Sequence, residues 1–268
     1  MEVVPLLASS WDRLEGDTTW TFHLQDGVRF HNGEIFDAWA VKFSLETVLS
    51  RNDSGQTVGG ASVAIPSANI KSIEIVDSLT VNITTNGPKA LLPFYLSQIF
   101  MIAPAHYADA SDAMRAENPV GTGPYVVEER VRDSHVSLAR FVSYWGEPAI
   151  NHRVVFRVIP EVSTRIAELE TGGVHIITDL PFDQAAILRG ATGVHVASIP
   201  GGRRVMIGIT TSGGPKPLED KRVRQALNYA IDFDAISTGL FGGSVERMSY
   251  IFNPPFSHPE IDAYPYDP

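Results

Sequence analysis

Trp20–Leu49, WTFHLQDGVRFHNGEIFDAWAVKFSLETVL, carries the clearest structural instructions in the chain. Trp20, Phe22 and Leu24 alternate with Thr21 and His23, a period of two that sets the apolar side chains on one sheet face. Asp26-Gly27 supplies a turn, because glycine takes positive φ without steric cost. Val28 and Phe30 resume the alternation, and Asn32-Gly33 turns the chain again. Asp37 offers a carboxylate to the free N–H groups that open a helix, so it is the expected N-cap. Behind it Ala38, Val41, Leu45, Val48 and Leu49 share one helical face. The stretch predicts strand, turn, strand, turn and capped helix.

Outward from this block the pattern stays mixed. Ile73 and Ile75 alternate with Ser72 and Glu74, Asp77-Ser78 turns the chain, and Leu79, Val81 and Ile83 alternate again, predicting a hairpin. Arg51 to Ser67 is rich in Gly, Ser, Asn and Asp and is expected to be a loop. Leu91 to Leu96 predicts a short helix, Ile99 to Pro104 a buried strand, and Asp109 to Asn118 an exposed helix with a loop. In Asn118-Pro119-Val120-Gly121-Thr122-Gly123-Pro124-Tyr125 the glycines permit backbone angles or close approach that larger residues forbid. Val126 stands where a third glycine would belong and no Lys-Ser/Thr follows, so a rigid crossover is expected instead of a phosphate cradle. Beyond it Val126–Phe141, Asn151–Pro160, Val174–Ile177 and Val205–Ile209 predict strands. Ser163, Asp183 and Asp220 are expected to cap helices, and Val223, Leu227, Ala230 and Ile231 to form the core stripe of the last of these.

Composition narrows the function. The 268 residues are 44% hydrophobic and 9% aromatic, enough for a packed core, and the formal net charge is −10. That balance opposes a nucleic-acid footprint, which needs clustered Lys and Arg. The absence of cysteine removes disulfides, thiolate metal sites and cysteine nucleophiles together. The eight histidines are scattered, and none makes an i, i+4 pair of the kind that builds a helical zinc site. His23 and His31 are the one pair that a hairpin brings close enough to consider. No G-x-S-x-G elbow, H-E-x-x-H or P-loop occurs.

Several stretches together carry a family likeness. His23–Gly33, HLQDGVRFHNG, with Phe36-Asp37-Ala38 behind it, resembles the signature region of the family 5 extracellular solute-binding proteins, departing at Gln25 and Ala40. Pro119–Tyr125, Tyr144-Trp145-Gly146 and Arg222–Asp232 resemble three further motifs of that family, in order. Pro5–Trp11 resembles a segment that lies well inside family members, and Tyr266-Asp267-Pro268 one that leads onward into a helix. The chain is therefore expected to be a fragment cut at both ends.

The resemblance implies a mixed α/β, partial type II periplasmic-binding-protein fold. Residues 1–118 are expected to be the extra subdomain of the first lobe, 119–198 part of that lobe's core, and 199–268 the start of the second lobe. It implies the solute-binding component of an ABC importer, with a peptide or small-molecule solute and the membrane permease subunits as partners. The expected location is periplasmic, or extracellular on a lipid anchor. No catalytic residue, metal or cofactor is implied. Ile99, Phe100 and Met101 are the expected groove residues, and Phe100 stands where nickel binders of the family carry an arginine for an anionic chelate. Two other classes compete with it: a sensory or chaperone-like relative, and an α/β hydrolase or metalloenzyme, for which no catalytic constellation is visible. The fragment's exposed apolar surface is expected to favour self-association.

Overall fold

A computed structural model of the protein describes residues 3–14, 16, 18–53, 69–108, 117–199, 201, 205–210, 213–248 and 262–267, without the side chains of 50–53. The chain forms two compact units, Met1–Val158 and Ile159–Pro268.

The first unit is built on a four-stranded antiparallel sheet of β1 (Ala8–Arg13), β2 (Thr19–Leu24), β3 (Ile70–Asp77) and β4 (Thr80–Thr85), in the order β1-β2-β4-β3. Trp20, Phe22 and Leu24 point into the core as their alternation requires. They face Val81 and Ile83 on β4, the neighbouring strand. On the edge strand β3 a bulge between Ile70 and Ser72 advances the phase by one residue, so Ile70 and Ile73 are both buried. Ile75 keeps the expected register, opposite Val81, but is 38% exposed beside a second irregularity between Ile75 and Asp77.

The second expected strand is reduced to one bridge, Arg29 to Ile35. Gly27 and Gly33 both adopt positive φ, at 74° and 90°, which folds Val28–Phe36 into a tight double turn. That turn drives Val28, Phe30 and Phe36 into the core, with the Phe30 and Phe36 rings edge to face at 6.0 Å. Asp37 then caps helix α1 (Ala38–Asp53), its Oδ1 accepting the Ala40 N–H at 3.0 Å. Ala38, Ala40, Val41, Leu45 and Val48 are buried beneath it. Ala40, one of the two departures from the family motif, is fully buried, where an unpaired carboxylate would be costly.

Past β4, two short helices follow, α2 (Leu92–Leu96) and α3 (Pro104–Tyr107). Ile99 to Ala103 between them is irregular backbone, not the expected strand, because its polar groups are tied to the adjacent helices instead of a ladder. A second antiparallel sheet then runs β5 (Tyr125–Val131), β6 (His135–Arg140) and β7 (Arg153–Arg157) in sequential order. Between the sheets lies the crossover through Gly121, Thr122 and Gly123. Neither glycine takes positive φ, and a Cβ on Gly121 would meet only the His31 ring at 3.8 Å. The expected conformational need for glycine is therefore absent at both positions. Trp145 Nε1 donates to Thr122 O at 3.1 Å and helps to hold the crossover.

In the second unit the helices are α4 (Val162–Glu170), α5 (Phe182–Leu188), α6 (Lys221–Tyr229) and α7 (Phe233–Phe241), with a 3-10 turn at Lys216–Glu219. Two expected caps shift. Glu161, not Ser163, precedes α4, and Pro181 precedes α5, so Asp183 lies inside the first turn and bonds Gln184. The third stands: Asp220 Oδ1 accepts the Arg222 N–H at 2.8 Å. Asp232 caps α7 the same way through Ala235 N–H at 2.9 Å.

Val174–Ile177 and Val205–Ile209 form no strand, although both were expected to. Ile176 is 82% exposed and Val205 89%. The expected stripe on α6 is likewise half open, with Leu227 at 44%. A strand exists only when a neighbour completes its ladder, and among the described residues none lies alongside these runs. The loop expected at Arg51–Ser67 begins instead as the last turn of α1, and residues 54–67 lie outside the described residues. So do 109–116 of the helix expected at Asp109–Asn118.

Candidate functional site

The expected groove residues sit on the irregular segment between α2 and α3. Leu92 is fully buried and anchors α2, and the chain leaves that helix through Ile99 N–H to Leu96 O at 3.0 Å. Ile99 is 7% exposed and belongs to the core, and Met101 is half-buried against it. Phe100 is 89% exposed. The three residues are thus divided: Ile99 and Met101 hold the segment down, and Phe100 is displayed.

What pins the segment is Ser44, a buried hydroxyl absent from the residues expected to form the site. Its Oγ donates to Ala40 O at 2.6 Å, one turn back in α1, and accepts the Ile102 N–H at 2.9 Å. A serine among Val41, Leu45 and Val48 on an apolar stripe was the available signal, since a buried hydroxyl needs a partner. Glu34 does the same for α3. Its carboxylate accepts the N–H groups of Ala105 at 2.8 Å and His106 at 3.1 Å. Tyr107 Oη accepts the Val120 N–H at 2.8 Å, linking α3 to the crossover.

Beside this segment lies an open depression of about 450 Å³, lined by Ile35, Trp39, Phe43 and Pro104 with Glu34 and Asp37 at its edge. A smaller one of about 220 Å³ in the second unit is lined by Lys221, Arg224, Gln225, Asn228 and Tyr264. Arg222 and Arg224 do not converge as an anion clamp. Arg222 Nη2 pairs with Asp220 at 2.6 Å, and Arg224 Nη1 donates to Leu218 O and Glu219 O at 2.9 and 2.8 Å. The Arg222 side chain, with its backbone N–H second, holds the Asp220 carboxyl below the ordinary carboxylate range. The cap is therefore kept above that range and lost only as pH falls through the lowered value.

His23 and His31 are not brought together. His23 Nε2 lies 3.5 Å from Asp12 Oδ2, whereas His31 is bonded to Gly121 and Gly123. Among the described residues no three His, Asp or Glu side chains form a metal-binding group. No described helix is long and apolar enough to cross a membrane.

The irregular segment between α2 and α3 is thus pinned from behind by side chains and displays an aromatic residue, Phe100, to solvent. Residues 2–268 match the bacterial extracellular solute-binding proteins, family 5 Middle, and the chain belongs to that family. It is 29% identical over 273 residues to the nickel-binding periplasmic protein of Escherichia coli strain K12, covering 99% of this chain and 51% of the relative. It is also 29% identical over 290 residues to the dipeptide-binding protein of the same strain, covering 100% and 53%. The solved structure of NikA from Brucella suis in complex with Fe(III)-EDTA superposes with a TM-score of 0.82 at 26% identity, over 99% of this chain and 53% of that one. The chain thus spans about half the length of the relatives it matches.

Proposed function

We propose that the protein is the solute-binding component of an ABC importer, capturing a peptide or similar small solute outside the cytoplasm and delivering it to the membrane permease. Family membership supports the role, and the dipeptide- and nickel-binding relatives mark the range of solutes. The observation that carries the solute class is Phe100, an aromatic residue 89% exposed on a segment fixed from behind by Ile99 and Ser44. A rigid aromatic face gives contact area to an apolar side chain at little entropic cost. It offers no charge to an anionic chelate. In this reading residues 1–118 are the extra subdomain of the first lobe, 119–198 part of its core and 199–268 the start of the second. The protein works in the periplasm or on a lipid anchor.

Mass spectrometry of solute co-purified with the protein tests the class, and a peptide is the expected finding. Phe100→Ala is expected to weaken that solute's affinity about tenfold, ~1.4 kcal/mol, by calorimetry. An unchanged affinity would remove Phe100 from the groove, and a recovered nickel chelate would overturn the peptide reading.

The exposed apolar side chains of the second unit, Ile176, Val205 and Ile207 among them, support self-association of this chain. Sedimentation velocity is expected to show a mass that rises with concentration. A monomer at all concentrations contradicts it.

A further inference from the structure

His31 stands at the tip of the turn between Phe30 and Gly33, and both of its ring nitrogens are engaged by one short piece of backbone. Nδ1 lies 3.3 Å from Gly121 N, and Nε2 lies 3.0 Å from Gly123 O. The His31 backbone N–H adds a bond to Gly121 O at 2.9 Å. The ring's outer edge rests on Phe141 with centroids 5.0 Å apart, just past the end of β6. One side chain of the signature turn therefore grips the crossover on its way to the second sheet.

The partners dictate the ring's protonation. An amide N–H can only donate, so Nδ1 must be bare. A carbonyl can only accept, so Nε2 must carry the proton. Both bonds coexist only in the neutral ring. A second proton would sit on Nδ1 and point at the Gly121 N–H, exchanging an acceptor for a repelling donor. His106 provides the contrast. Its Nε2 faces Asn118 O at 3.0 Å, a bond that a neutral Nε2–H ring and a protonated ring make equally well.

The charged and titratable groups on the surrounding elements have their own engagements. Arg29 Nη1 donates to Gly33 O at 2.9 Å, and Glu34 caps α3. Arg140 Nη1, on β6, donates to Ala149 O at 3.2 Å. Glu117 opens the crossover and Tyr144 lies beyond Phe141. The bonds and ring contact of His31 itself go to Gly121, Gly123 and Phe141.

We propose that His31 is a proton-operated latch: the neutral ring clasps Gly121–Gly123 and joins the two sheets of the first unit, and acidification releases it. The same crossover is tied through Val120 to Tyr107 and so to α3, beside the segment that displays Phe100. The latch thus bears on the candidate groove without touching solute, and it holds whatever the solute is.

Nuclear magnetic resonance on the 268-residue chain tests the proposal. Long-range proton–nitrogen spectra near neutral pH are expected to show His31 with Nε2 protonated and Nδ1 bare. The hydrogen-exchange protection factor of the Gly121 amide is expected to fall roughly tenfold as those same spectra show the His31 ring taking up its second proton on acidification, the loss of one hydrogen bond. His31→Gln, whose amide cannot take up a proton, is expected to remove this dependence on acidification, while His106→Gln keeps the wild-type response. A proton on Nδ1 near neutral pH, or Gly121 protection that stays unchanged when the ring becomes doubly protonated, overturns the latch. Both readouts come from the wild-type chain and stand even where a variant does not fold.

Discussion

Phe30→Ala is expected to lower the unfolding free energy of the first unit by about 3–5 kcal/mol. The ring is fully buried, meets Phe36 edge-on, and occupies the point where the double turn passes under the sheet. Truncation removes the transfer free energy of the ring and leaves a cavity. The turn that positions Phe30 is clamped by its own bonds, Phe30 N–H to Glu34 O and Phe36 N–H to Val28 O, at 2.9 and 3.0 Å, so collapse into that cavity is restricted. Against a typical total of roughly 5–15 kcal/mol, such a loss leaves little. Urea unfolding followed by tryptophan fluorescence measures it, and a cost under about 1 kcal/mol would mean that Phe30 does not bear the core.

Ser44→Ala is expected to cost about 1–3 kcal/mol, much more than the loss of one oxygen atom's packing suggests. The Ile102 N–H keeps its burial and loses its acceptor, while Ala40 O loses a second donor. The effect should not stop at stability. With Ile102 released, the Ile99–Ala103 segment is no longer pinned to α1, and Phe100 loses its fixed position although its own side chain is intact. Calorimetry should therefore find weaker solute binding in Ser44→Ala, alongside faster exchange of the Ile102 amide. Faster exchange with unchanged affinity would separate the segment's rigidity from binding and count against Phe100 as a groove residue.

These two residues differ in how visible they were. Phe30 lies in a local pattern, and alternation with Val28 forecast its burial even though the strand around it became a turn. Ser44 shows locally only as a hydroxyl on an apolar stripe; the partner that gives it a task, Ile102, is 58 positions away. The candidate site has the same division. Family likeness marked Ile99, Phe100 and Met101 as one block, but only the packing of the unit shows that Ile99 is turned inward and Phe100 outward. The histidines behave likewise: the hairpin that made His23 and His31 a plausible pair instead gives each a separate task.

From sequence alone came the features whose causes lie within a few residues. The alternation of β2 and β4, the turn glycines Gly27 and Gly33, and the caps Asp37 and Asp220 all depend on adjacent backbone geometry or on a donor within one helical turn. Tertiary structure decided everything that needs a distant partner. Val174–Ile177 and Val205–Ile209 have strand composition, yet a strand is a pairing, and no described neighbour completes their ladders. The bulge in β3, the buried hydroxyl of Ser44 and the grip of His31 on Gly121 and Gly123 also require groups that meet only after the chain has folded. Hydrophobic period reports which face a residue prefers; it carries no address for the group that will meet it there.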